Sequence, residues 1–99
     1  MIRDGRDGTP LRLLPWTTPE GAPCYLSTDD PRSRLSLLAD ELEADLLGSA
    51  EFVLSEARPL LADEASRARE LRFTRVQLAA ALADALRIAK SRGARLPEN

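Results

Sequence analysis

Catalysis by a nucleophile needs a base to activate it, and this chain contains one cysteine and no histidine. Cys24 sits between Pro23 and Tyr25, where only an arginine or a helix N-terminus could activate it. It reads as a small buried apolar residue, with a Cys24–Cys24 bridge across a dimer as the alternative. Acid–base or metal chemistry would fall to carboxylates. Glu41 and Asp45 stand one helical turn apart, with Asp40 and Glu43 as a neighbouring pair. All-α nucleotide pyrophosphatases hold magnesium with paired carboxylates on two facing helices. Here Glu70 and Asp84 are too far apart in sequence to make the second pair, and Mg²⁺ needs more hard oxygen ligands than remain. The acidic run is therefore read as a solvated face. No catalytic residue, cofactor or metal is assigned, and the chain is not expected to be an enzyme.

Arg67, Arg69, Arg72 and Arg75 crowd the start of the second long periodic segment, where the positive end of a helix dipole disfavours cations. One reading is an anion or nucleic-acid patch held by phosphate contacts. The other pairs these arginines with Glu51 and Glu56 on an antiparallel neighbouring helix. The second is preferred, because the net charge is −2 and neither interleaved aromatics nor a recognition-helix pattern accompanies the patch. Charge asymmetry fits it as well: Asp29 to Glu64 holds ten acidic and three basic residues, Ser66 to Arg95 eight basic and two acidic. Arg75 alone falls in the apolar stripe of its segment, so it is expected half-buried against Glu51 or in a dimer contact.

Two long helices must position these groups. In the first, 30–61, Asp30 suits the N-cap and Pro31 the first helical position. Leu35, Leu38, Leu42, Leu46, Val53, Ala57 and Leu60 form one stripe, and Leu47, Leu54 and Leu61 a second, heptad-spaced row. Gly48 interrupts nothing in the pattern and points to a close approach by another group. Pro59 should kink the helix or end it. The second helix, 66–92, is capped by Asp63 or Ser66, carries the stripe Ala68, Leu71, Leu78, Leu82, Ala85, Leu86 and Ala89, and is stopped by Gly93 with Pro97 beyond. The matched lengths predict an antiparallel hairpin.

Ahead of the helices, residues 1–10 have nothing to bury and read as a disordered tail. The rest, 11–97, is one domain, beginning with a β-arm over 11–28. In that arm Leu11–Trp16 and Cys24–Ser27 flank dense turn chemistry as a short β-hairpin or extended arm, shortened by Pro15 and Pro23. The run Leu13-Leu14-Pro15-Trp16-Thr17-Thr18-Pro19-Glu20-Gly21, then Cys24-Tyr25-Leu26-Ser27-Thr28-Asp29, and the tail Ser91-Arg92-Gly93-Ala94-Arg95-Leu96-Pro97, resembles a group of small actinomycete proteins of the Streptomyces type. That resemblance implies a bacterial protein of regulatory kind and supplies no activity or site residues.

The fold class expected is mainly α: a long antiparallel helical hairpin with a short N-terminal β-arm. With only four aromatic residues the core must be Leu and Ala, and two helices leave Leu37, Leu47, Phe52, Leu54, Phe73, Val76 and Ile88 in surplus. A homodimer forming a four-helix bundle is the expected partner arrangement, with Leu47, Phe52, Leu54, Leu61, Phe73 and Val76 at the interface; another protein could take the same surface. Trp16 and Tyr25 are read as local packing ahead of a recognition arm. No apolar run reaches the length of a membrane span or signal segment, so a cytoplasmic location is expected. The expected function is a non-enzymatic protein–protein interaction or regulatory module, with nucleic-acid binding through the arginine cluster as the alternative.

Overall fold

Ser33, three residues beyond the expected cap, starts the first helix. In the computed structural model, which describes residues 2–3, 10–27 and 30–95, Asp30 Oδ1 accepts from the Arg32 N–H at 2.9 Å, so Asp30 and Pro31 make a turn instead of a first helical turn. Ser33 Oγ then accepts from the Ser36 N–H at 3.2 Å, and helix α1 runs Arg34–Ala62. Pro59 does not end it near Arg58: the helix runs on through Ala62, and the Asp63 N–H donates to the Pro59 carbonyl at 3.2 Å. The final carbonyls are closed by Ser66, whose Oγ donates to Leu60 O at 2.7 Å.

That use of Ser66 corrects its expected role. Asp63 is engaged likewise, accepting from the Ala65 N–H at 2.9 Å. Both residues finish the first helix, and the second, α2, runs Ala68–Arg95 with its first bond from the Leu71 N–H to the Arg67 carbonyl. Gly93 does not stop it. Among the described glycines only Gly21 has positive φ, so Gly93 sits inside the helix, and Pro97 lies outside the described residues.

The N-terminal segments form a small antiparallel sheet in the order β1 (Ile2–Arg3), β2 (Pro10–Thr17), β3 (Pro23–Ser27). Ile2 and Arg3, read from composition as part of a disordered tail, pair with Leu11 and Pro10. The β2–β3 register is regular from Leu11↔Ser27 to Leu13↔Tyr25 and then shifts before Thr17↔Pro23. Pro15, which has no N–H to give a ladder, lies in the shifted stretch. Gly21 closes the turn at φ +87°, a conformation that side chains oppose, and its N–H donates to the Thr18 carbonyl at 2.9 Å.

Helix–helix packing follows a rule of threes and fours, but from a different starting residue than the leucines imply. On α1 the seam of buried and half-buried positions runs Ser36, Ala39, Glu43, Leu46, Ala50, Val53, Ala57 and Leu60, and on α2 Leu71, Thr74, Leu78, Ala81, Ala85, Ile88 and Ser91. Leu35 and Leu38, expected inside, are about half exposed; Ser36 and Ala39 take their places. Ala68, Leu82, Leu86 and Ala89 are also exposed, while Ile88, expected as surplus, is 2 % exposed. Alanines along both seams let the helices approach closely.

Gly48 has no neighbour within 4 Å of where a Cβ would stand, so the close approach expected there is absent. Gly48→Ala is therefore expected to stabilise the chain by about 1 kcal/mol, the difference in helix propensity alone. A rise in the urea midpoint with unchanged slope is the result that checks it.

Candidate functional site

Among the described residues Glu43 is the largest fully buried side chain, 1 % exposed, and a carboxylate buried on a helical seam needs partners. They come from two other elements. Arg12 of β2 donates through Nη2 to Glu43 Oε2 at 3.2 Å and to Asp40 Oδ1 at 2.7 Å, and through Nη1 to the Ser36 carbonyl at 3.0 Å. Arg92 of α2 donates through Nε to Glu43 Oε1 at 3.4 Å. Nearby, Ser91 Oγ donates to the Leu13 carbonyl at 2.8 Å. These bonds clamp the sheet onto the open end of the hairpin. Arg12 Nε is buried and has no hydrogen-bond partner among the described residues.

Sequence reasoning took Glu43 only as half of a solvated carboxylate pair with Asp40, which its burial corrects, and it did not single out Arg12 or Arg92. The signal that could have found them is Glu43 on the step Ala39, Glu43, Leu46. A charge on the seam implies an opposing charge from another element, and Arg12 is the basic residue among the apolar positions of β2.

Elsewhere the structure separates charges that sequence reasoning paired. Arg67, Arg69, Arg72 and Arg75 are all exposed. Among the described residues the ion pairs formed are Arg12–Asp40, Arg12–Glu43, Arg87–Asp84 and Arg92–Glu43, so the arginine cluster does not meet Glu51 or Glu56. Arg75 is not half-buried as expected. The helices touch through small residues on the seam, which leaves these long side chains on the outer flanks. Glu41 and Asp45 are exposed too, and no group of three or more acidic or cysteine side chains among the described residues is placed to hold a metal ion. Cys24 is free and only half-buried, where full burial was expected.

The six expected interface residues are divided between sides. Phe52 and Phe73, 65 % and 66 % exposed, rim an apolar groove of about 370 Å³ floored by Val53, Ala57, Leu60 and Thr74. Leu47, Leu54 and Leu61 lie on the opposite flank of α1, since Phe52 and Leu54 are separated by roughly 200° around a helix. Val76 points outward from α2, also exposed. One flat partner cannot cover all six. Trp16 is half-buried in β2, whereas Tyr25 is exposed and lines a second groove of about 410 Å³ with Leu11, Leu13, Leu86, Arg87 and Lys90.

Compared with protein-family models, curated proteins and solved structures, the chain matches none. No helix among the described residues is long and apolar enough to cross a membrane. What the geometry presents is a set of open apolar surfaces on a clamped scaffold.

Proposed function

We propose that this protein is a non-enzymatic interaction module, regulatory in kind, that works by docking the apolar flanks of its helical hairpin onto another polypeptide. One imbalance carries the reading. Among the described residues the buried aliphatic side chains are Leu14, Ala39, Ala57 and Ile88, two of them alanines, while eleven large apolar side chains are exposed. Covering a Leu or Phe side chain is worth about 1.5–3 kcal/mol, so docking even a few of them rivals the stability of a whole small domain. The shape agrees: the radius of gyration is 17.0 Å, against about 13 Å for a compact domain of this length. An elongated hairpin spends little of its surface on itself and offers much to a partner.

The experiment is site-specific photo-crosslinking from Phe52 and, separately, from Leu54 in the producing cell. A discrete covalent adduct from at least one position is expected. No adduct from either would overturn the reading.

A second reading is favoured by the unpaired arginines: Arg67, Arg69, Arg72 and Arg75 are exposed and their charges unmatched within the described chain. Nucleic-acid binding through them would be steeply salt-dependent. It predicts binding to a labelled duplex or single strand at about 50 mM salt that Arg69→Glu with Arg72→Glu abolishes; an unbound wild-type chain in that buffer removes it.

A further inference from the structure

The groove of about 410 Å³ beside Tyr25 is walled by two elements, the sheet and the side of α2 turned away from α1. Strand alternation supplies one wall: Leu11 and Leu13 of β2, and Pro23 and Tyr25 of β3, stand two residues apart in their strands and share a face. Helical steps of three and four supply the other, where Ala83, Leu86 and Lys90 lie roughly 120–180° around α2 from its seam. Leu86 and Tyr25 are 53 % and 42 % exposed, so the apolar walls are open to an occupant. The volume falls within the roughly 300–1,000 Å³ of small-molecule sites.

The polar groups of this groove are one-sided. Its lining holds two cations, Arg87 and Lys90, two hydroxyls, on Tyr25 and Thr17, and no carboxylate. Acidic side chains close by in sequence are turned elsewhere. Asp84 takes Arg87 Nη1 at 3.4 Å and lines a separate recess against Leu46 and Ala50 of α1, while Glu20 is exposed in the turn and outside the lining. Arg87 commits a single N–H to that bond. Lys90 makes no ion pair, and neither its ammonium nor the two hydroxyls hydrogen-bond among the described residues. Every charge in the lining is therefore positive, and every polar side chain there can donate.

We propose that this groove binds a small molecule with an apolar body and a single carboxylate head. The body lies on Leu11, Leu13 and Leu86. The head accepts from the Lys90 ammonium and the Arg87 guanidinium, bonds that are stronger for being charge-assisted, with the Tyr25 hydroxyl as a further donor. A nucleic-acid strand would use the cations and leave the leucines wet. The other large groove makes the contrast: between Phe52 and Phe73 the lining carries Glu56 and no cation, so it does not select an anion. The site goes beyond the docking of a polypeptide on the helical flanks, and either can fail without the other.

Titration of the ¹⁵N-labelled full chain with decanoate, followed through its amide shifts, tests the site, with decyltrimethylammonium as a chain of the same length and opposite charge. Decanoate is expected to saturate with a Kd of about 1 mM or tighter, moving the amides of Leu11, Leu13, Tyr25 and Leu86 to Lys90. Decyltrimethylammonium should bind there at least about tenfold more weakly. Lys90→Glu should weaken decanoate at least about tenfold, since it replaces attraction by repulsion, while Lys90→Arg stays within about threefold of the wild type. Lys90 is exposed, so both variants should keep the wild-type helical circular dichroism. Phe52→Asp, in the other groove, should leave decanoate binding unchanged. No saturable shift, equal affinity for the two amphiphiles, shifts centred on Phe52 and Phe73, or a Lys90→Glu chain that binds decanoate as the wild type does would each overturn the inference.

Discussion

Arg12→Met is expected to lower the unfolding free energy by about 3–5 kcal/mol, because it takes the clamping guanidinium away from a buried carboxylate. Glu43 is 1 % exposed, and among the ion pairs of the described residues its nearest cation is Arg12, at 3.2 Å. Arg92 approaches no nearer than 3.4 Å, and its side chain is 53 % exposed, so water screens what it offers. The Arg12–Asp40 pair adds little to the loss, since Asp40 is 57 % exposed and such pairs are worth about 0.2–1 kcal/mol. What decides the size of the effect is the charge left behind. Arg12→Met combined with Glu43→Leu should therefore recover most of the lost stability, because an apolar pair of similar volume is often neutral or better at a buried site. Urea unfolding of the wild type, both single variants and the double variant measures the coupling. An interaction energy of at least about 2 kcal/mol is expected; additivity within about 0.5 kcal/mol would mean that Arg12 and Glu43 do not act as a pair.

This clamp is also where sequence reasoning was weakest. Both helices, their antiparallel link and the strands of the arm were legible because each is written locally: apolar steps of three and four, turn residues at 17–23, an arm too short to stand alone. The phase of the seam was not. Leucine positions set it one residue too early at the N-terminal end of α1, where Leu35 and Leu38 were expected inside and Ser36, Ala39 and Glu43 are found. Apolar periodicity counts a glutamate as a surface residue. It has no means of knowing that an arginine 31 positions upstream will neutralise it. The same blindness ran the other way for Arg67 to Arg75: complementary charge on two antiparallel helices suggested pairing, yet alanine-rich seams hold the helices together and leave the long side chains apart. Capping shows the smaller version of this limit. Asp30, Asp63 and Ser66 all have side chains suited to a helix start, and each is used by a turn or by the end of α1 instead. The interface residues were found by type, but their division between two flanks depended on the true phase.

Ile88→Ala is the second large effect, expected to cost about 2–4 kcal/mol. Ile88 is 2 % exposed and lies one turn before Ser91, whose hydroxyl bonds to the Leu13 carbonyl of β2. Three methyl or methylene groups would be lost from a core that has few to spare, among alanines too short to collapse into the space. For a chain of this length each kcal/mol moves the melting temperature by roughly 4–8 °C, so a fall of more than about 10 °C is expected by circular dichroism. Leu82→Ala makes the informative contrast. Leu82 is 61 % exposed, and in a lone hairpin its truncation should change stability by less than about 0.5 kcal/mol at any protein concentration. If a second copy of the chain covers it, the wild-type melting temperature rises with protein concentration and Leu82→Ala flattens that dependence. Ile88→Ala, acting inside one chain, should lower the curve without removing its slope. Equal effects of the two substitutions at every concentration would mean that the seam does not distinguish Ile88 from Leu82, and the packing of α2 described above would be wrong.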